Sequence, residues 1–347
     1  MNVHALVQQA FGSEVAVMRQ LEMPHGASTR RYFRLMLQGA PCASAVLMWL
    51  GDVPEVHLAD APAELPFVNV QRHLQQAGLP VPRIYLDASA TQGAVLLEDL
   101  GDVTFYHAWQ GASSDEREAW YRAAVSLLAH MHAQMWPIPS GCVAAERHYD
   151  FALLRSELEH YLTYGLEARL GKTLSPSVRQ PLQEAFDALA HALDQLPKGF
   201  VHRDYQSRNL MVRPHLPVSP SALCIIDFQD AFIGPRTYDL VALLHDSYVP
   251  LDDALRQRLL CDYAVQRGWP LAEVKREFLL LSVQRKLKDG GRFIFIDRTR
   301  NDPSFLPFVS PSFQRVREAL VALEGWTDLK RCLALADPEF FAGLPKE

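Results

Sequence analysis

The segments VHRDYQSRNL, residues 201–210, and LCIIDFQD, residues 223–230, constrain this chain more than any other feature. Asp204 and Asn209 stand five residues apart, and Asp227 follows a four-residue apolar run, Leu223 to Ile226, that reads as a buried strand. Between them lie Leu210 to Val212, which reads as a short strand, and a proline-rich turn. This order and spacing suit phosphoryl transfer, in which one Asp receives a hydroxyl proton while an Asn and a second Asp offer hard oxygens to magnesium. A transferring phosphoryl group spreads negative charge over its oxygens, so carboxylates beside it are tolerable only where a divalent cation neutralises them. Asp204 is thereby left to face the acceptor, with Asn209 and Asp227 as metal ligands. HRD or IID alone is commonplace, and a loop Asp is ordinarily a cap or turn residue. The combined pattern carries the argument.

A chain of 347 residues exceeds the size at which single cores usually divide, so two lobes are expected. The hydrophobic fraction of 49% and charged fraction of 21% are those of an ordinary globular protein. Formal net charge is -6 with cations scattered among acids, which leaves no basic footprint for nucleic acid. MNVHALVQQAFG has no basic region before a long apolar core, and no run of about 18 apolar residues occurs, so neither export nor a membrane span is expected. Cys42, Cys142, Cys224, Cys261 and Cys332 are dispersed and odd in number, which favours reduced thiols in the cytoplasm over a disulfide framework or a zinc site.

The first hundred residues carry short β-compatible runs at Val15 to Leu21, Tyr32 to Leu37, Ala45 to Trp49 and Ala94 to Leu97, with one helix at Phe67 to Gln76. The proline-bearing stretch from Gly51 to Pro66 reads as an irregular connection. From about residue 103 the pattern is helical. Ser113 and Glu116 form a capping box for a helix whose face is Trp120, Ala124, Leu127, Leu128 and Met131 and which ends before Pro137. His130 and His132 on it do not share a face and are not expected to hold metal. Pro176 opens a second helix, and others fit Tyr238 to His245, Asp253 to Arg267, Ala272 to Leu287 and Phe313 to Leu323. Gly290 and Gly291 are expected to stop the third of these, and Gly325 the last. The expected fold class is α+β: a small β-rich lobe over residues 1–97, a hinge at 98–102 and a larger helical lobe over 103–347.

These features together resemble the aminoglycoside phosphotransferase and choline kinase family, which is similar in fold to protein kinases but acts on small molecules. The run Gly26 to Arg34, with LLEDLGD, HRDYQSRNLMV, IDFQDAFIGPRTYDL and VQRKLKDGGRF, looks most like the bacterial cell-wall amino-sugar kinases, which phosphorylate the anomeric hydroxyl of N-acetylmuramate and N-acetylglucosamine in peptidoglycan recycling. The resemblance implies ATP and magnesium as cofactors, an amino-sugar substrate and a monomer. It implies Asp204 as catalytic base, Asn209 and Asp227 as magnesium ligands, and Asp239 in GPRTYDL as a brace of the catalytic loop. Asp230 stays between assisting the metal and satisfying the turn before Gly234 and Pro235. His25 and Gly26 to Arg34 occupy the place of a hairpin over the triphosphate, with Gly26, Ser28, Thr29, Arg30, Arg31 and Arg34 as nucleotide-binding candidates and Glu98 and Leu100 at the hinge. Strand alternation sends Arg31 and Phe33 to one side and Tyr32 and Arg34 to the other, so not all the arginines can face nucleotide.

The chain departs from the kinase plan in ASAVLMW, where Met48 stands near the position of the expected lysine, and the helix after it has no obvious glutamate. The resemblance suggests that hairpin arginines replace that lysine. On the acceptor side Arg285 is a candidate for substrate positioning, with Lys288 behind it, although cations near a helix end are favoured there in any case. Phe293, Phe295 and Ile296 either wall a pocket or pack it. Two other functions remain: a kinase for another small molecule, with an acidic pocket for an aminoglycoside or an aromatic cage for choline, and a non-catalytic nucleotide-binding scaffold.

Overall fold

A computed structural model describes residues 2–24, 30–51 and 64–341. Helix α1 (Val3–Phe11) opens the chain, its Asn2 side chain accepting the Ala5 amide. There follow β1 (Ala16–Glu22), β2 (Arg31–Gln38), β3 (Ser44–Trp49), α2 (Pro66–Gln76), β4 (Ile84–Ala88), the single turn α3 (Ser89–Gln92) and β5 (Ala94–Glu98). The strands form one antiparallel sheet in the order β1-β2-β3-β5-β4. Strand alternation gives it two apolar faces. Phe33, Leu35, Leu47 and Leu96 pack with Leu6 and Val7 of α1, while Val46, Met48, Val95 and Leu97 join Phe67, Val70 and Leu74 of α2 in the larger core. Neither α1 nor the short edge strand β4, which has little alternation, is foreseen from the sequence.

The second lobe is helical. It contains α4 (Phe105–Gly111), α5 (Ser114–Gln134), α6 (Phe151–His160) continuing into a π-helical segment over Tyr161–Ala168, and α7 (Pro176–Asp194). Four short strands follow: β6 (Lys198–Val201), β7 (Leu210–Val212), β8 (Leu223–Ile225) and β9 (Phe232–Pro235). After them come α8 (Tyr238–Leu244), α9 (Asp253–Arg267), α10 (Leu271–Arg300), α11 (Val309–Ala322) and α12 (Thr327–Ala336). The Ser113 and Glu116 capping box forms, with the Ser113 amide donating to Glu116 at 2.8 Å.

One expectation fails. Helix α10 does not stop at Gly290 and Gly291 but runs on to Arg300. The glycines serve packing: a Cβ on Gly290 would come within 2.2 Å of the Phe313 ring, and one on Gly291 within 2.9 Å of the Tyr161 Cα. Here close approach of neighbouring elements, rather than termination, requires the missing side chain.

Strand β6 pairs with β9, and β7 with β8, both antiparallel. The connection from β6 to β7 and the connection from β8 to β9 therefore both cross between the same two ribbons, which sets the motif loops side by side. The Ile226 amide donates to the Asn209 carbonyl at 3.1 Å. The lobes share one core: Phe67 of α2 stacks on Phe228 with centroids 5.0 Å apart, and the Ile225 amide donates to the Pro80 carbonyl at 2.7 Å. Among the described residues no helix is long and apolar enough to cross a membrane, and all five cysteines are unpaired.

Candidate active site

The loop from His202 to Asn209 is held from behind by carboxylates. Asp239, in the first turn of α8, is wholly buried. Its Oδ2 accepts the His202 amide at 2.7 Å and its Oδ1 accepts the Arg203 amide at 2.9 Å. The Nε2 of His132 on α5 lies 3.1 Å from the same Oδ2, and its Nδ1 lies 2.7 Å from the Tyr263 hydroxyl. Further along, Asp246 accepts the Ser207 amide at 2.9 Å. The loop thus keeps Arg203 at φ 85, a left-handed conformation that a non-glycine residue adopts only under constraint.

Arg203 precedes Asp204, whose carboxylate is 38% exposed and opens into a cavity. The Arg285 guanidinium on α10, only 3% exposed, donates to the Arg203 carbonyl at 2.9 Å and to Asp204 at 3.3 Å. Desolvation pushes the Asp204 carboxyl up, but Arg285, then Lys288, Arg203 and His202, hold it below the usual aspartate value. Asp204 is therefore ionised at neutral pH and fixed in direction, which suits it to accept a hydrogen bond from a hydroxyl.

Asn209 Nδ2 donates to the Asp204 carbonyl at 2.9 Å and to Asp227 Oδ2 at 3.2 Å, which leaves its amide oxygen uncommitted to either. Gln229 donates to Asp227 Oδ1 at 2.9 Å. Asp227 itself sits at φ 65, a second strained non-glycine residue beside the first. One carboxylate and one amide oxygen are hard donors of the kind magnesium takes when most of its shell is water and phosphate. Among the described residues no cluster of three or more His, Cys, Asp or Glu forms a closed metal cage. The donor set fits a metal held jointly with a phosphate.

Two cavities meet at this loop. The first, about 500 Å³, lies between the lobes; Tyr32, Val46, Phe67 and Leu97 make its apolar walls, and Asn209 and Asp227 its polar end. Glu98 and Leu100 both line it. The Glu98 amide is taken by the Arg83 carbonyl at 2.8 Å, whereas no described residue bonds the Leu100 backbone.

The arginines of the first hairpin divide. Arg31 is turned away from this cavity: it lies over the Phe33 and Trp49 rings and pairs with Glu22 at 2.9 Å on the outer face of the sheet. Alternation along β2 sends it to the side opposite Tyr32. Arg34 has the right face, but both edges of its guanidinium are engaged, with Asp99 at 2.8 Å and Asp102 at 2.9 Å. It ties β2 to the segment after β5. Arg30 remains at the cleft: burial raises the Tyr32 hydroxyl's proton affinity, and Arg30 lowers it as a hydrogen-bond partner and Asp227 raises it as a neighbouring charge. His25, Gly26, Ser28 and Thr29 lie outside the described residues, as does most of the stretch after Gly51.

The second cavity, about 530 Å³, is bounded by Asp204, α6 and α10. Its carboxylates are Glu157, Asp204 and Asp289, and its cations are Arg203, Arg285, Lys288 and Arg292. Tyr248 and Phe293 are its aromatic walls. Phe295 meets Tyr164 edge to face, with centroids 4.9 Å apart.

Sequence reasoning missed His132, Asp246 and Gln229. His132 carried a signal, a polar residue on the apolar face of α5, but its partner Asp239 lies 107 residues away. Asp246 carried none.

A family model described as the phosphotransferase enzyme family matches residues 20–274. A protein of Pseudomonas aeruginosa named N-acetylmuramate/N-acetylglucosamine kinase is 33% identical over 307 residues, covering 85% of this chain and 82% of that protein. The GDP complex of wild-type aminoglycoside 2'-phosphotransferase-IIIa superposes with a TM-score of 0.56 at 15% identity, over 91% of this chain and 97% of that one. A choline/ethanolamine kinase family protein from Mesorhizobium loti gives 0.53 at 15% identity, over 91% and 92%. At such identity the two structures share the two-lobed fold.

Proposed function

The chain belongs to the phosphotransferase enzyme family, and on that premise we propose that it transfers the γ-phosphoryl group of ATP, with magnesium, to the anomeric hydroxyl of N-acetylmuramate, N-acetylglucosamine or both. The observation that carries the choice of acceptor is the charge of the cavity beside Asp204. It has one more cation than carboxylate, and Asp204 and Asp289 already face Arg285 and Lys288. A polycationic aminoglycoside would need an excess of acids there, and a quaternary ammonium would need an aromatic cage. A hydroxyl-rich neutral or anionic sugar suits this lining and a volume of about 530 Å³. The name of the Pseudomonas aeruginosa relative supports the same acceptors.

In this reading the adenine occupies the apolar cleft between Val46, Phe67 and Leu97, with the Leu100 backbone available for its hydrogen-bonding edge. Arg30 takes the place of the absent strand lysine, and Asp227 and Asn209 hold magnesium. When bound, magnesium neutralises charge on the phosphate oxygens. The chain's residues do the positioning. Asp204 accepts a hydrogen bond from the sugar hydroxyl and takes its proton as the oxygen bonds to the γ-phosphorus and the bond to the bridging oxygen of ATP breaks, releasing ADP. Arg285 orients that carboxylate and keeps it ionised. Asp239, bonded in turn by His132, holds the Arg203 backbone so that Asp204 stays aimed at the acceptor.

The deciding experiment is magnesium-dependent transfer from ATP to both amino sugars, with aminoglycosides and choline in parallel and phosphorus NMR to locate the new bond. An anomeric phosphate is the expected product. Turnover on another acceptor would refute the sugar assignment, and silence on every acceptor with nucleotide still bound would favour a nucleotide-binding scaffold.

A further inference from the structure

The four cations of the acceptor cavity are of two kinds. Arg285 is bonded to the Arg203 carbonyl and Asp204, and Lys288 lies 3.5 Å from Asp289 and 3.4 Å from the Tyr238 hydroxyl. The guanidinium groups of Arg203 and Arg292 have no ion pair or hydrogen bond among the described residues. Arg292 rests over the Phe295 ring at 4.8 Å. Its proton affinity is lowered by burial, then by Arg300 and Arg203, so the two cavity arginines feel each other. Burial lowers the proton affinity of Arg203, but Asp204, Tyr238, Glu157 and Asp230 more than offset it, whereas only cations act on Arg292, whose charge is left to water or an anion. His160 adds a third unused group: its Nε2 is buried without a partner on the same cavity, and burial followed by Arg292 lowers its proton affinity.

The anion is either the phosphoryl group in transit or part of the acceptor, and position separates these. Arg285, Lys288 and Arg292 stand at i, i+3 and i+7, along one face of α10. Arg285 touches Asp204, whereas Arg292 lies seven residues further on, about 10 Å along the axis at about 1.5 Å per residue. Asn209 and Asp227, at the phosphate end, line the other cavity. Arg292 therefore sits at the end of the acceptor cavity remote from the reacting oxygen.

We propose that Arg292, with Arg203 on the same cavity, binds a carboxylate carried by the acceptor, so that acidic N-acetylmuramate is selected over neutral N-acetylglucosamine. A planar guanidinium meets a carboxylate through two parallel N–H bonds, a geometry that a neutral sugar does not offer. The inference rests on the amino-sugar reading above and deepens it by assigning which member of the pair the site is built for.

The test compares kcat/KM for the two sugars in the wild-type protein, Arg292→Gln and Arg292→Lys. The wild type should favour N-acetylmuramate. Arg292→Gln should lower the ratio of the two values by about tenfold, chiefly through KM for the acidic sugar, as expected for one partly exposed charge-assisted contact. Arg292→Lys should restore part of it. An unchanged ratio overturns the proposal, and so does an equal fall in kcat on both sugars, which would assign Arg292 to the phosphoryl group. If the wild type phosphorylates neither sugar, the amino-sugar reading fails by itself, and calorimetric titration with N-acetylmuramate decides the arginine. Saturable binding weakened in Arg292→Gln upholds the carboxylate site; no binding to the wild type overturns it.

Discussion

Asp239→Asn probes the catalytic loop without touching either cavity. The native carboxylate uses both oxygens, Oδ2 for the His202 amide and Oδ1 for the Arg203 amide, and Oδ2 also meets His132. An amide of the same shape has one acceptor oxygen. Its NH₂ must face either the His202 and His132 donors or the Arg203 amide, so at least one buried N–H loses its acceptor in each orientation. Losing a hydrogen bond to a charged group and leaving its buried partner unsatisfied costs about 2–3 kcal/mol. Arg203, at φ 85, has a strained backbone that these bonds hold, so the released loop relaxes in a definite direction, toward negative φ. At about 1.4 kcal/mol per factor of ten, kcat should fall about 30- to 150-fold. KM for nucleotide and acceptor should move much less, because Asp239 lines neither site. Melting should shift down by about 4–12 °C, at about 2–4 °C per kcal/mol, so the kinetics are measured well below the variant's melting temperature. A variant that melts lower but keeps kcat within about twofold would refute the claim that this carboxylate aims Asp204.

Asp204→Asn should retain nucleotide binding and lose about 10²- to 10⁴-fold in kcat; equal turnover would remove the proton-accepting role. For Asp227→Ala the expected result is loss of the magnesium dependence of nucleotide affinity, measured by titration with and without the metal, and an unaltered dependence rejects the ligand assignment. Arg285→Gln leaves the Asp204 carboxyl with desolvation, which raises it, and without its largest lowering charge, so the acid limb of the rate profile should move to higher pH. In the native protein the folded carboxyl lies below its unfolded value, so its stabilisation is present above the unfolded value and is lost as pH falls through the folded one; that loss should begin at higher pH in the variant, and an unmoved profile refutes the coupling. Gly290→Ala gains about 1 kcal/mol of helix propensity but drives a methyl to within 2.2 Å of Phe313, an overpacking that costs about 1–3 kcal/mol; a melting temperature above that of the wild type would show that the ring moves freely.

The proximity of the proposed reacting groups was legible because a short β-ribbon fixes their spacing locally: Asp204 and Asn209 bracket one loop, and Asp227 follows a buried apolar strand. What supports them was not legible. His132, Asp246 and Gln229 are ordinary polar residues until the fold brings α5 and the end of α8 against the loop. Gly290 and Gly291 misled because a glycine pair reads as a helix stop, whereas Phe313 and Tyr161, distant in sequence, press on them from two sides. Alternation did anticipate that the hairpin arginines part company. It could not say that Arg34 would meet two carboxylates 65 and 68 residues away.

That contact also bears on the missing lysine. In protein kinases the strand lysine does two tasks, pairing with nucleotide phosphates and tying the sheet to a helix glutamate. Here Met48 is fully buried in the apolar core beside Val95 and α2, and α2 has no acidic residue, so neither task is possible at that position. Arg34 links β2 to Asp99 and Asp102 after β5 instead, with Asp102 and then Asp99 raising its proton affinity. Asp99 is only 7% exposed, so this pair is better shielded from solvent than an ordinary surface bridge. A guanidinium committed to two carboxylates has little left for phosphate. In the proposed reading the charge that meets the phosphates comes from the chain before β2, where Arg30 lies beside Tyr32, a residue that also feels Asp227. On that reading the lysine's two tasks fall to two arginines four residues apart, Arg34 bonded to Asp99 and Asp102 and Arg30 beside Tyr32, so loss of the lysine alone does not argue for a dead enzyme.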